Sequence, residues 1–360
     1  MKTLWCCLAL VLASFRFAGP PDARLFLPDN PLIRYTGRID FSNKLLPRFW
    51  NAGVYIDLRF SGNTCKVILT DEKSGQNFNY LEVVLDHNTP LRIRTGAKRD
   101  TLDITRLFAV TPKGSLSAGD HILRICKDTE SGIGYLEFAG VICQNLLALP
   151  PPPHHKIECI GNSITCGTGM DQSKVPCHTG LWHDQHNAYL SYGAITARNL
   201  DASWQLTSVS GIGLMHSCCK LELVMKDVFD KINLRSNQVP WNFSYIPDIV
   251  TICLGQNDGI QDTALFRANY LSFIRTIRMR YPAAHIVCLS SPMADSELTA
   301  YLQQNLQVIT GRARQQGDKN VSYYFFKKRY HNGCDEHPDM AEHLEIAGEL
   351  TACIKSLTNW

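Results

Sequence analysis

Four short stretches in the second half of the chain carry residue types that together could perform acyl transfer. Ser163 lies in KIECIGNSITCGTG, Gly211 in SVSGIG, Asn257 in LGQND and His337 in DEHP. A serine hydroxyl is a weak nucleophile until a base removes its proton. An imidazole titrates near neutral pH and suits that task. Attack on an ester carbonyl creates an oxyanion, which fixed donors must meet: the N–H of Ser163, the N–H of Gly211 and the side-chain amide of Asn257. Glycine at 211 lets backbone approach closely with no side chain in the way. Ser163 does not sit in a G-x-S-x-G elbow, because Ile164 and Thr165 follow it. Taken alone it reads equally well as a helix cap, and Asn257 as a turn residue. It is the four together that make an acyl-transfer set.

Each of the four follows an apolar run, and those runs are the elements that must position them. KIECI, SWQLTSV, DIVTICL, HIVCLSS and VSYYFF read as strands. DIVTICL is almost continuously apolar, as expected for a strand buried on both faces. Helices are expected between them over DQHNAYLSYGAITARNL, TALFRANYLSFIRTIRMRY and SELTAYLQQNLQVITGRARQQG. A last helix carries Met340, Leu344, Ala347, Leu350, Ile354 and Leu357 at three- and four-residue spacing. Alternating strands and helices imply a parallel sheet covered on both faces. Ligands of such sheets bind beyond the carboxyl ends of the strands, where all four candidates fall.

The first half differs. Short alternating segments such as Val54-Tyr-Ile-Asp-Leu-Arg-Phe60 are separated by turn residues (SGN, EKSGQN, SAGD, ESG), the pattern of an antiparallel sandwich with no helix. The run LALPPPPHHK divides the two halves, since four consecutive prolines continue neither a helix nor a central strand. The expected organisation is a sandwich over 24–149, a stiff linker over 150–155 and an α/β unit over 156–360. Residues 1–18, a lysine followed by an apolar run too short to span a bilayer, read as a secretory signal. Export is therefore expected, to the periplasm or the exterior.

Composition narrows the function classes. The formal charge is only +3 and the basic residues are scattered, apart from Lys327 to Arg329, so a nucleic-acid partner is not expected. No later stretch is apolar enough to cross a membrane. No HExxH spacing is present, and Glu342 and His343 fall at the start of the last helix, so no metal or other cofactor is expected. The glycine-rich GNSITCGTG lacks the lysine of a P-loop. Of 14 cysteines, Cys159, Cys253 and Cys288 sit in apolar runs and read as buried thiols. Cys166 with Cys177, or Cys218 and Cys219 with others, could pair. Among the aromatic residues Tyr192, Trp204 and Trp241 read as core, while Trp182, in the polar loop GLWHDQHN, is the candidate for stacking on a sugar ring.

The ordered blocks GNSIT, SGIG, LGQND and DEHP resemble those of the SGNH (GDSL-type) hydrolases. Together with YTGRIDF, RFWNAGVYI and IGYLEF in the first half, nearly the whole chain resembles carbohydrate esterase family 2. The resemblance implies a jelly-roll domain followed by a three-layer SGNH domain with a flavodoxin-like parallel sheet. It implies an extracytoplasmic, metal-independent serine esterase that deacetylates plant polysaccharides such as xylan and glucomannan, with the 6-position of hexoses as an expected target. Ser163 would be the nucleophile, His337 the general base, and Ser163, Gly211 and Asn257 the oxyanion donors. Two departures stand out. Asn162 occupies the place where most SGNH enzymes have aspartate. Cys334 occupies the place, three residues before the histidine, where many carry the acid; Asp335 is then the candidate to orient His337, with a backbone carbonyl as the alternative. Glu336 replaces an aromatic of some relatives. A lipase or thioesterase on the same fold, or a non-catalytic carbohydrate-binding protein, are the rival readings.

Overall fold

The computed structural model describes residues 22–72, 76–86, 88–109, 119–236 and 238–360. The signal segment expected over 1–18 lies outside the described residues.

The first half folds as an antiparallel sheet of nine strands. At its centre runs Tyr55–Asp71, paired with Asp120–Lys127 over its first part and with Leu136–Leu147 from Arg59 onward. A register shift between Ser61 and Cys65 bends this long strand, so that one segment serves both layers. Its inward side chains, Leu58, Phe60, Val67 and Leu69, meet Leu81, Val83, Leu123, Phe138 and Val141 in one core. This is the sandwich that the period-two pattern predicts. A helix over Ile104–Ala109 departs from the expectation of none. It is a single turn and a half, started by Asp103 accepting from the Arg106 N–H and fixed by burial of Ile104 and Phe108.

In the second half five parallel strands stand in the order Ala202–Ser208, His155–Gly161, Ile249–Cys253, His285–Leu289, Val321–Tyr324. In chain order this is 2-1-3-4-5, whose switch point lies between the first and third strands. Every residue of Ile249–Cys253 is buried. Thr263–Arg280 and Ser296–Gln315 cover one face through Phe266, Tyr270, Ile274, Leu302, Leu306 and Ile309. Tyr192–Asn199 and Met340–Leu357 cover the other through Tyr192, Ile195, Ile346, Ala347, Leu350 and Ile354. Asp262, Asp295 and Asp339 cap the three long helices.

Two expectations are corrected here. The helix expected over 184–200 forms only as Tyr192–Asn199, preceded by a 3-10 turn at Trp182–Gln185. The residues between give their main-chain groups to the sandwich: Arg92 donates to the His186 carbonyl at 2.5 Å, and the Ala188 N–H donates to the Asp128 carbonyl at 3.3 Å. In the last helix the buried stripe is rotated, so that His343 and Ile346 face inward while Leu344 is 60% exposed.

The halves are locked by buried polar contacts. The Trp204 indole donates to the Gly53 carbonyl at 3.0 Å, and Asn51 donates to the Ile232 carbonyl at 2.8 Å. Arg38, fully buried, donates to the carbonyls of Phe229 and Lys231 and pairs with buried Glu158 at 3.1 Å. The sandwich thus packs on the same sheet that carries the candidate residues.

Candidate active site

Ser163 is the first residue of a four-residue helix that follows the strand His155–Gly161. Asn162 caps that helix, its Oδ1 accepting from the Ile164 N–H at 3.1 Å, so the missing aspartate charge is not needed for the turn. Ser163 Oγ and His337 Nε2 lie 2.9 Å apart. His337 Nδ1 lies 3.1 Å from the Cys334 carbonyl. With Nδ1–H donating to that carbonyl, Nε2 presents its lone pair to the serine hydroxyl.

Asp335 does not take the orienting position expected of it. Its side chain is exposed, and its carboxylate lies 4.0 Å from the His178 ring. The reason is local backbone: Asp335 and Glu336 both adopt left-handed φ, 51° and 58°, which turns the Cys334 carbonyl rather than a side chain toward the imidazole. Burial pushes the His337 pKa below the ordinary histidine value. The Cys334 carbonyl and the nearby Asp335 oppose that shift without cancelling it.

The donors sit on the neighbouring strand ends. Gly211 has φ +82°, a left-handed backbone, and a Cβ there would lie 3.2 Å from Cys218 Sγ. Asn257 donates one amide hydrogen to the Ile212 carbonyl at 2.8 Å, which aims the group and leaves a second hydrogen to give. Ser163, Gly211, Asn257, His337, Trp182 and Asp335 all line one cavity of about 450 Å³. Trp182 is 46% exposed and packs edge-on against His186, whereas Tyr192, Trp204 and Trp241 are buried. Among the described residues no group of three His, Cys, Asp or Glu side chains could hold a metal ion.

Sequence reasoning missed the supports of these loops. Asp258 is buried, and its carboxylate accepts from the N–H groups of Leu214, Met215 and His216 at 2.9, 2.6 and 3.1 Å. Glu130, from the sandwich, is also buried; it accepts from the Ser210 N–H at 2.6 Å and from Arg235 at 3.1 Å. Arg235 in turn lines the cavity. Asp258 stood beside Asn257 in LGQND and was readable as a loop anchor. Glu130, in the turn DTESG, carries no sequence signal that separates it from a solvated turn residue.

The cysteines are also corrected. Cys177 pairs with Cys334, and Cys218 with its neighbour Cys219. Cys166 is a buried free thiol 3.2 Å from Ser208 Oγ, not paired with Cys177. Cys159, Cys253 and Cys288 are buried and unpaired, as their apolar runs predict.

Residues 35–153 match the family model described as carbohydrate esterase 2 N-terminal, and residues 159–344 match the GDSL-like lipase/acylhydrolase family. The chain is 33% identical over 348 residues to the cellulase/esterase CelE of Acetivibrio thermocellus, covering 92% of this chain but 40% of that protein's length. It is 27% identical over 343 residues to an acetylxylan esterase / glucomannan deacetylase of Cellvibrio japonicus, covering 92% of this chain and 90% of the relative. Among solved structures, a family two carbohydrate esterase from Clostridium thermocellum in complex with cellohexaose superposes with a TM-score of 0.81 at 32% identity, covering 91% of this chain and 99% of that one. A second, from Cellvibrio japonicus, has the same fold, with a TM-score of 0.83 at 24% identity over 94% and 98% of the two chains. Both halves of the chain, its sheet order and its strand-end blocks agree: the chain belongs to the family two carbohydrate esterases.

Proposed function

We propose that this carbohydrate esterase is an exported serine deacetylase, acting on O-acetyl groups of plant polysaccharides or oligosaccharides such as xylan and glucomannan, with 6-O-acetyl hexoses among its targets. The observation that carries the reading is the 2.9 Å approach of His337 Nε2 to Ser163 Oγ inside a cavity also lined by Gly211 and Asn257. Ser163 attacks the acetyl carbonyl as His337 takes its proton. The oxyanion rests on the N–H groups of Ser163 and Gly211 and on the free amide hydrogen of Asn257. His337 then protonates the departing sugar hydroxyl. Water, deprotonated by His337, attacks the acetyl-enzyme, and acetate leaves. Trp182, exposed at the cavity wall, supplies a face for the sugar ring. The relatives named for xylan and glucomannan support the substrate class, and the signal-like residues 1–18 support export.

Acetate release from a panel of acetylated xylan, glucomannan and chemically acetylated hexoses tests the assignment. Release from at least one acetylated glycan is expected, with little turnover of nitrophenyl esters longer than butyrate. A preference for long acyl chains and no release from any glycan would instead make the protein a lipase-type hydrolase.

The pH profile is a second test. Only neutral His337 can accept the serine proton. Its pKa is held below the ordinary value, so the neutral form persists to lower pH than a solvated histidine would allow. The acid limb of kcat/KM is expected below pH 6.5, the ordinary histidine value. An acid limb above it would contradict the buried setting of the ring.

A further inference from the structure

We infer that the Cys177–Cys334 disulfide is the positioning device for His337, a covalent tether doing what an aspartate side chain would do at position 334. The inference rests on the dyad reading of Ser163 and His337 given above.

The partner of His337 Nδ1 is a backbone carbonyl, that of Cys334. A carboxylate side chain has its own torsions and its own charge to find the ring. A carbonyl has neither, so it is placed only as well as its peptide is placed. The peptide here lies in unfavourable backbone. Asp335 and Glu336, next along the chain, are two successive non-glycine residues at left-handed φ. Such residues persist only where surroundings over-determine them, and they concentrate at functional sites.

Three contacts over-determine this turn. The Cys334 N–H donates to the Gly169 carbonyl at 2.8 Å, and the Gly333 N–H donates to the His337 carbonyl at 2.6 Å. The third is the disulfide itself. Gly169 is itself at left-handed φ, +70°, and a Cβ on it would lie 2.7 Å from the Cys334 carbonyl oxygen and 3.4 Å from His337 Cβ. The histidine turn is therefore seated directly on the segment that leaves the Ser163 helix. Cys177 belongs to the mostly exposed stretch that continues from that segment to Trp182. The bond thus ties the base to the nucleophile's own loop, across 157 residues of chain. The other disulfide joins adjacent residues and can tie no two segments together. Cys334 is 5% exposed, so the tether's inner end is shielded.

The titratable groups around the ring are the Ser163 hydroxyl, the Asp335 and Glu130 carboxylates, and the imidazoles of His186 and His343. Burial holds both imidazoles below the ordinary histidine value, His343 at about 3, so neither supplies a charge near neutral pH. Desolvation is the largest influence on His337. Release of the tether lets water reach the ring, which moves its pKa up toward the solvated value.

The test is Cys177→Ser, which opens the tether and leaves the Cys334 carbonyl in the chain. With 4-nitrophenyl acetate, kcat is expected to fall about ten- to a hundredfold, the cost of misplacing a catalytic group by about an ångström. KM should change little, and the acid limb should move to higher pH. A wild-type kcat, or a lower kcat with the acid limb unmoved, overturns the inference. Near-ultraviolet circular dichroism shows whether the variant is folded. If it is not, the same question is put to folded Cys218→Ser/Cys219→Ser protein, in which Cys177–Cys334 is the one disulfide seen among the described residues. Dithiothreitol reduces it with two electrons and two protons to two thiols, and is itself oxidised to its cyclic disulfide. Hydrolysis should fall in step with the thiols trapped by alkylation; activity unchanged after full trapping overturns the inference. Ser163→Ala separates the two failures. If that variant hydrolyses like wild type, the dyad reading is lost. If it is inert while Cys177→Ser runs at full rate, only the tether is lost.

Discussion

Ser163→Ala is expected to lower kcat on acetyl esters by roughly 10⁶-fold, the loss seen when the nucleophile of a serine hydrolase is removed, while leaving the thermal midpoint nearly unchanged. The size of the effect follows from the absence of a substitute. His337 Nε2 faces Ser163 Oγ, and the other serine hydroxyl on the cavity wall, Ser210, is committed to Thr168 at 2.8 Å. The small residual rate comes from the oxyanion donors, which remain able to polarise a bound ester toward water. The fold survives because the helix start does not depend on the hydroxyl. Asn162 caps it, and the Ser163 carbonyl, retained in alanine, still accepts from Thr168. Steady-state rates with 4-nitrophenyl acetate and a thermal melt on the same sample decide it. A loss of less than about tenfold would place the nucleophile elsewhere; a collapse of the melt would make Ser163 a structural residue first.

The candidate residues were legible because each lies beyond the carboxyl end of a parallel strand. Ser163, Gly211 and Asn257 follow within a few residues, where an apolar run meets glycine; His337 lies further on, in the loop after the last strand; and the order of strands brings all four to one cavity. The sandwich was legible through its period of two. The parts that sequence hid are those decided by contacts between the halves. The expected helix over 184–200 lost its first half because Arg92 and Asp128 of the sandwich claimed its main-chain groups. Periodicity in a single segment cannot report competitors that lie 60 (188 − 128) and 94 residues away. Glu130 was read as part of a turn for the same reason: its partners, Ser210 and Arg235, belong to the other half. Asp335 was the candidate acid on sequence distance alone, but the left-handed pair Asp335–Glu336 turns a carbonyl inward, and backbone sign at non-glycine residues is not written in composition.

The sandwich therefore completes the site rather than standing beside it, and this leads to the second large effect. Glu158→Ala is expected to cost about 3–5 kcal/mol, the range for leaving one member of a buried ion pair alone. For a protein of this size that is roughly a 4–7 °C fall in the thermal midpoint. Glu158 sits in the first strand of the parallel sheet with its side chain fully buried. One oxygen accepts from Arg38 at 3.1 Å, from Gln205 at 3.0 Å and from Thr207 at 2.5 Å. Arg38 comes from the sandwich and is equally buried, lying over the rings of Phe229 and Trp241 at 5.5 and 5.6 Å. Without the carboxylate, its hydrogen bonds among the described residues are to the Phe229 and Lys231 carbonyls. Glu158→Gln keeps the volume and one oxygen for the three donors, while removing the charge and making the second oxygen an amide donor, so it should cost clearly less than alanine. Equal losses in the two variants would mean that the charge accounts for the whole effect, and a wild-type melt for Glu158→Gln would mean that volume and hydrogen bonds do. The form of the melt carries the wider point. Because Arg38 anchors the sandwich to the sheet through this one carboxylate and two loop carbonyls, loss of the pair should lower the unfolding of both halves together. An early transition of one half alone, with the other unmoved, would show that the sandwich is held by other contacts and that its hold on Ser210 through Glu130 does not depend on this pair.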